Sequence, residues 1–194
     1  YHGPEFPPIL LRSLRAVADT LGMHVEDEGD LLRRGMELNR ESGTFEVRPL
    51  EERLRAIFPA ADMSSDDVVA KCHRAFLAPI FARARLVDEA HAVLDELRSR
   101  GVQTALVSNT PWGSSASPWR DELERHDLSR RLHAVTFCVD VGWRKPHPAP
   151  FLKTLNELSV DAAHALFVGD DPRWDQKGAW NAGMRALLLS DSQP

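Results

Sequence analysis

The chain has 194 residues, with 24 basic against 29 acidic side chains and a net charge of −5. Hydrophobic residues make up 43 % and charged residues 27 %, which suits one globular core, or a core and a small second module. The acidic balance excludes the basic footprint of a nucleic-acid binder, and no apolar run reaches the ~18 residues of a membrane helix. Cys72 and Cys138 lie too far apart for a metal-binding pair and do not form a disulfide framework. They fit a reducing, cytoplasmic compartment, and no signal peptide opens the sequence. Oligomeric state is not readable.

Residues 1–85 read as helical throughout. Leu10, Leu11, Leu14, Val17, Ala18 and Leu21 recur at helical spacing, and Gly22 supplies a stop. A second helix is expected over 28–40, ending near Ser42-Gly43. A third is expected over 49–58, with Pro49 in its first turn. A fourth opens on Ser64-Ser65-Asp66-Asp67 and carries Val68, Val69, Cys72, Phe76 and Leu77. His73 and His91 fall in helices as surface or boundary residues.

From residue 86 the pattern alternates. An amphipathic helix over 88–100 closes on Gly101. Apolar strands follow at 104–107, 134–139, 165–168 and 185–189. Between them lie helices at 119–126, 148–158 and 175–182. Continuous apolar strands separated by helices imply a parallel sheet covered on both faces, with its ligand crevice at the carboxyl ends of the strands. The division expected is 1–85, helical, and 86–194, α/β.

Three strand ends carry polar residues. The first is Val107-Ser108-Asn109-Thr110, where a hydroxyl and successive N–H groups can hold an anionic oxygen or simply close a turn. The second is Gly142-Trp143-Arg144-Lys145-Pro146-His147-Pro148. Its lysine is either a fixed cation facing a phosphoryl oxygen or a solvated loop residue, and a solvated role suits His147. The third is Val168-Gly169-Asp170-Asp171, with Asp175 beyond it, an oxygen-rich cluster suited to Mg2+. For Asp171 and Asp175, metal ligation and helix capping fit equally well. Trp112, Trp143 and Trp174 each follow one of these ends, either walling a site or packing beneath a neighbouring element.

The order and spacing of Leu106-Val-Ser-Asn109, of Lys145 in Arg-Lys-Pro-His-Pro, and of Gly169-Asp170 through Asp175 resemble three motifs of the haloacid dehalogenase-like (HAD) hydrolase superfamily. Gly178-Ala-Trp-Asn-Ala-Gly183-Met184 resembles the helix that follows the last of them. The resemblance spans about 86–190 and implies a Rossmann-like parallel sheet core, with 1–85 as a helical cap domain. It implies a Mg2+-dependent phosphatase of a small phosphorylated metabolite, acting through an aspartyl-phosphate intermediate. Carried over, Ser108 and the Asn109 amide bind the phosphoryl group. Lys145 neutralises that group and the nucleophile. Asp170 ligates Mg2+, with Asp171 or Asp175 as further candidates, and Asp175 orients the cluster.

The superfamily's first motif, an apolar strand followed by Asp-x-Asp, is absent. That strand is the central one of the family's sheet. The expectation is therefore an upstream segment of about 10–25 residues that carries it, since losing a central strand costs many kcal/mol against a net stability of roughly 5–15. The alternatives are a non-hydrolytic binding protein on the same fold, a truncated fragment, and a dehalogenase or phosphonatase. The intact Ser108, Lys145 and Asp170 count against decay of the site, and the acidic cluster favours a phosphatase over a metal-free dehalogenase.

Overall fold

A computed structural model describes residues 5–39 and 43–189. It divides into two compact units that interleave along the sequence, where the expected division was a single cut after residue 85. One unit comprises Tyr1–Glu41, Arg48–Val87 and Pro111–Leu123; the other comprises Ser42–Val47, Asp88–Thr110 and Glu124–Pro194.

The first unit is helical. It holds α1 (Phe6–Thr20), α2 (Glu28–Leu38), α3 (Leu50–Ile57) and α4 (Asp66–Phe81). α1 buries Ile9, Leu10, Leu14, Val17 and Ala18, the stripe its spacing dictates, and ends at Gly22, whose φ of 66° suits a residue without Cβ. Asp27 caps α2 by accepting N–H bonds from Gly29 and Asp30 at 2.8 and 3.1 Å. The expected end of that helix, at 40–42, lies outside the described residues. α4 turns Cys72, His73, Phe76, Leu77 and Ile80 inward against α1. Burial pushes the Cys72 thiol pKa up.

The second unit is α/β. In chain order it contains α5 (Ala90–Ser99), β1 (Ala105–Ser108), β2 (Ala134–Phe137), α7 (Ala149–Leu158), β3 (Leu166–Gly169), α8 (Lys177–Asn181) and β4 (Arg185–Leu188). The intervening helix, α6 (Ala116–Arg125), begins in the helical unit and starts three residues before the expected Trp119. β1 and β2 pair in parallel from Ala105↔Ala134 to Ser108↔Phe137, and β3 and β4 from Leu166↔Arg185 to Gly169↔Leu188. Among the described residues no ladder joins the two pairs.

Two expectations are corrected here. The strand expected over 134–139 stops at Phe137, because the Asp140 carboxylate accepts the Phe137 N–H at 2.8 Å and draws Cys138–Asp140 into a single 3-10 turn. The sheet is also not covered on both faces: Leu166 is 52 % and Val168 49 % exposed, and Leu187 and Leu189 share that openness. The other face packs Phe167 and Ala186 onto a small core of Phe151, Ala179 and Ala182, with Val107 against the same core. A segment from the first half of the sequence joins this unit. Glu46 bridges Trp143 in antiparallel fashion, Val47 donates to the Gly142 carbonyl, and Arg144 donates to the Phe45 carbonyl, both at 2.9 Å.

Candidate active site

The ends of β1 and β3 and the loop after β2 converge through side-chain hydrogen bonds, all within the α/β unit. Lys145 lies at the centre. It is 9 % exposed, and its Nζ donates to the Val107 carbonyl at 3.1 Å and to Asp175 Oδ1 at 2.5 Å. An ammonium has three donors, so one remains for an incoming anion. The Phe167 ring lies 5.4 Å from Nζ and adds a favourable quadrupole.

Asp175 is buried and fully engaged. Its Oδ1 accepts a hydrogen bond from the Lys145 ammonium, and its Oδ2 accepts the Asp170 and Asp171 N–H groups, each at 3.2 Å. Gly169 makes this geometry accessible. A Cβ there would sit 2.5 Å from Asp175 Oδ2 and 2.6 Å from its Cβ, closer than any real contact. Asp171 caps the next turn, a single π-helical turn over Pro172–Gln176, with Oδ1 accepting from Arg173 and Trp174 N–H at 2.8 and 2.9 Å. Asp170 is exposed, and among the described residues its carboxylate has no hydrogen-bond or ion-pair partner. No group of three His, Cys, Asp or Glu side chains among the described residues is placed to hold a metal ion.

The Asn109 side chain does not face outward as an anion donor. Its Oδ1 accepts the Lys145 N–H at 2.8 Å, and its Nδ2 donates to the Lys145 carbonyl at 3.3 Å. With the side chain engaged, the donor Asn109 can offer an anion is its backbone N–H. Ser108 Oγ donates locally to the Asn109 carbonyl at 3.2 Å, a bond that hydroxyl rotation can exchange for a ligand. Asn181 donates to the Pro146 carbonyl at 3.0 Å, so the Lys145 loop is gripped from β1 and from α8. Neither asparagine clamp is visible in the sequence, because each joins residues 35 or 36 positions apart.

The tryptophans part company. Trp112 is buried inside the helical unit. Trp143 stacks on His147 at 4.2 Å, so His147 is not simply solvated. Trp174 lies under the Arg173 guanidinium at 4.3 Å, with Phe45 edge-on.

The family model for haloacid dehalogenase-like hydrolases matches residues 42–189, most of the chain and all of the groups just described. The chain belongs to the haloacid dehalogenase-like hydrolase family. Among its relatives in that family, a phosphoserine phosphatase from Thermus thermophilus is 36 % identical over 117 residues, covering 58 % of this chain and 45 % of the relative. A glyceraldehyde 3-phosphate phosphatase from Pyrococcus abyssi is 34 % identical over 107 residues, covering 55 % and 43 %. This HAD-like chain thus matches less than half the length of either. In fold, a HAD phosphatase from Thermococcus onnurineus superposes with a TM-score of 0.67 at 20 % identity, over 96 % of this chain and 79 % of that one. No helix among the described residues is long and apolar enough to cross a membrane.

Proposed function

We propose that this HAD-like hydrolase serves the Mg2+-dependent hydrolysis of a small phosphorylated metabolite, with the helical residues as the cap that sets the substrate. The observation that carries the reading is the buried Lys145 ammonium, fixed by Val107 and Asp175 beside the Ser108-Asn109 turn with one donor to spare. Phosphoryl transfer needs negative charge neutralised on equatorial oxygens, and a held ammonium with adjacent hydroxyl and N–H donors meets that need.

The metal follows from charge. Lys145 and Asp175 form a neutral pair, and Asp170 adds an exposed carboxylate nearby, so a phosphate dianion needs a further cation. Mg2+ is commonly held by one or two carboxylates, substrate phosphate and water. Asp170 fits as the one ligand this chain supplies. Asp175 does not, because both its oxygens are engaged, and Asp171 is occupied as a cap. When bound, the ion would neutralise phosphoryl charge. Ser108 Oγ and the Asn109 N–H would orient the phosphoryl group, Lys145 would hold its charge, and Asp175 would hold Lys145.

The attacking aspartate is read as belonging to a further strand. The sequence contains no Asp-x-Asp after an apolar strand, and β1 and β3 pair with each other nowhere among the described residues. The same absence favours, as a second reading, a phosphate-binding protein that does not hydrolyse. Inorganic phosphate titration tests what both share. The 194-residue chain should bind phosphate, and Lys145→Met and Gly169→Ala should each weaken binding at least about tenfold, the loss expected from one charge-assisted bond. Unchanged affinity in both variants would sink the site. Mg2+-dependent turnover of p-nitrophenyl phosphate, measured on a longer chain that carries the further strand, separates the readings: hydrolysis lost in Asp170→Asn supports the enzyme, and binding without hydrolysis by that longer chain supports the second reading.

A further inference from the structure

His73 was expected at the surface or a boundary, yet it is 4 % exposed in the helical unit. Its Nδ1 accepts the backbone N–H of Ser115 at 2.9 Å, and its Nε2 lies 3.2 Å from Glu51 Oε2 on α3. These two bonds fix the tautomer. Nδ1 must be bare to accept, so the proton sits on Nε2 and is donated to Glu51. Arg74, beside it on α4, and Asp121 on α6 pair with each other at 2.7 Å, which leaves Glu51 as the charged group facing the ring.

Ser115 ends a short strap, Pro111–Ser115, that the chain enters immediately after Ser108-Asn109-Thr110. The strap is strained. Trp112 adopts φ 56° and ψ 19°, the left-handed region that a bulky side chain avoids. Such a residue persists only where its surroundings over-determine it. Here Trp112 Nε1 donates to Asn39 Oδ1 at 2.7 Å, its ring packs at a 30° tilt against Phe76 with centroids 5.3 Å apart, and His73 closes the far end. The strap is thus tied down within the helical unit while its other end continues covalently into the anion turn.

We propose that His73 is a positioning residue for that turn: through the Ser115 amide it latches the strap in its strained form, and its protonation at Nδ1 opens the latch. A protonated Nδ1 would point an N–H at the Ser115 N–H, two donors with no acceptor between them. The ring must then leave or the strap must move. Burial, opposed in part by Glu51, holds the His73 pKa below its ordinary value, so the latch stays closed at neutral pH and opens on acidification. The inference rests on the phosphate reading above.

Sulfate, a dianion throughout this range, is the probe. Its affinity for the 194-residue chain is measured at pH 7.5 and 5.5 in wild type, His73→Leu and His73→Asn, with the Ser115 amide followed by NMR. Asn keeps an acceptor at the Nδ1 position and does not titrate. We expect His73→Leu to bind sulfate about fivefold more weakly at pH 7.5, the worth of about one hydrogen bond. Wild type should lose affinity on going to pH 5.5, as its Ser115 amide shifts. His73→Asn should match wild type at pH 7.5 and lose no additional affinity at pH 5.5. Parallel acid losses in wild type and His73→Asn overturn the latch, and the Asn variant carries this test even where the Leu variant fails to fold. Wild type that binds no sulfate at pH 7.5 overturns the anion site itself, a failure distinct from sulfate bound equally by all three proteins.

Discussion

In the helical unit Leu10, Leu14, Val17, Leu50, Leu54 and Leu77 are all shut away from solvent, whereas in the α/β unit one face of β3–β4 leaves Leu166, Val168, Leu187 and Leu189 about half open. The α/β unit buries a smaller set: Phe151, Ala179 and Ala182 form one small cluster, and Ala134, Phe137, Cys138 and Leu155 are also buried. The helical unit is therefore held by close apolar packing. The α/β unit is held at the carboxyl ends of its strands by polar links: Lys145 with Asp175, Asn109 with the Lys145 main chain, and Asn181 with Pro146. Apolar area is worth roughly 25 cal/mol per Å2 wherever it is buried. A buried ion pair is close to neutral as a whole but costly to break from one side. The two units should accordingly fail in different ways.

The sharpest test of that contrast is Leu14→Ala. Truncating a fully buried leucine costs about 2–5 kcal/mol, read by urea denaturation through a signal of the helical unit. Next comes Gly178→Ala in α8. The added Cβ would meet the Phe151 ring at 2.6 Å and the Pro146 Cα at 3.2 Å, so overpacking should cost about 1–3 kcal/mol and disturb the Lys145 loop with it. Smaller is the effect of acid on the helical unit. His73 is held neutral in the folded state, so the stability it contributes is complete above its ordinary value near 6.5 and is lost as pH falls below it. The unit's Tm should drop between pH 7 and 5 in wild type and drop less in His73→Asn. Smallest is Val168→Ala on the open face, expected to cost under about 0.5 kcal/mol because little area is returned to water. A Val168→Ala cost equal to that of Leu14→Ala would erase the contrast between the units.

The helices were legible because their spacing repeats locally: the α1 stripe and the Gly22 stop are statements about neighbouring residues. The three strand ends were legible for the same reason, as polar residues directly following short apolar runs. What escaped the sequence joins distant residues. Asn109 spends its side chain on Lys145. Asp175 answers to Lys145 and to two amides at the end of β3. Phe45–Val47 leaves the helical half to pair with Gly142–Arg144. His73 was misjudged because periodicity ranks histidine as a surface residue and cannot foresee that a backbone N–H from residue 115 will occupy its ring nitrogen. The helix expected over 175–182 takes in the last two residues of the π-helical turn at Pro172–Gln176, since nothing local separates the two.

The open β3–β4 face has a colloidal consequence. Leu166, Val168 and Leu187 stand on one side of two short parallel strands, and β3 offers backbone groups that no ladder satisfies among the described residues. An apolar face beside an unpaired edge is a template for another chain's strand. Arg185, directly opposite Leu166 in the register, is the charge on that face and acts as a gatekeeper against such growth. A dye that fluoresces in apolar surroundings should therefore light up on the native protein, and replacing Arg185 with an apolar residue should lower the concentration at which solutions turn cloudy.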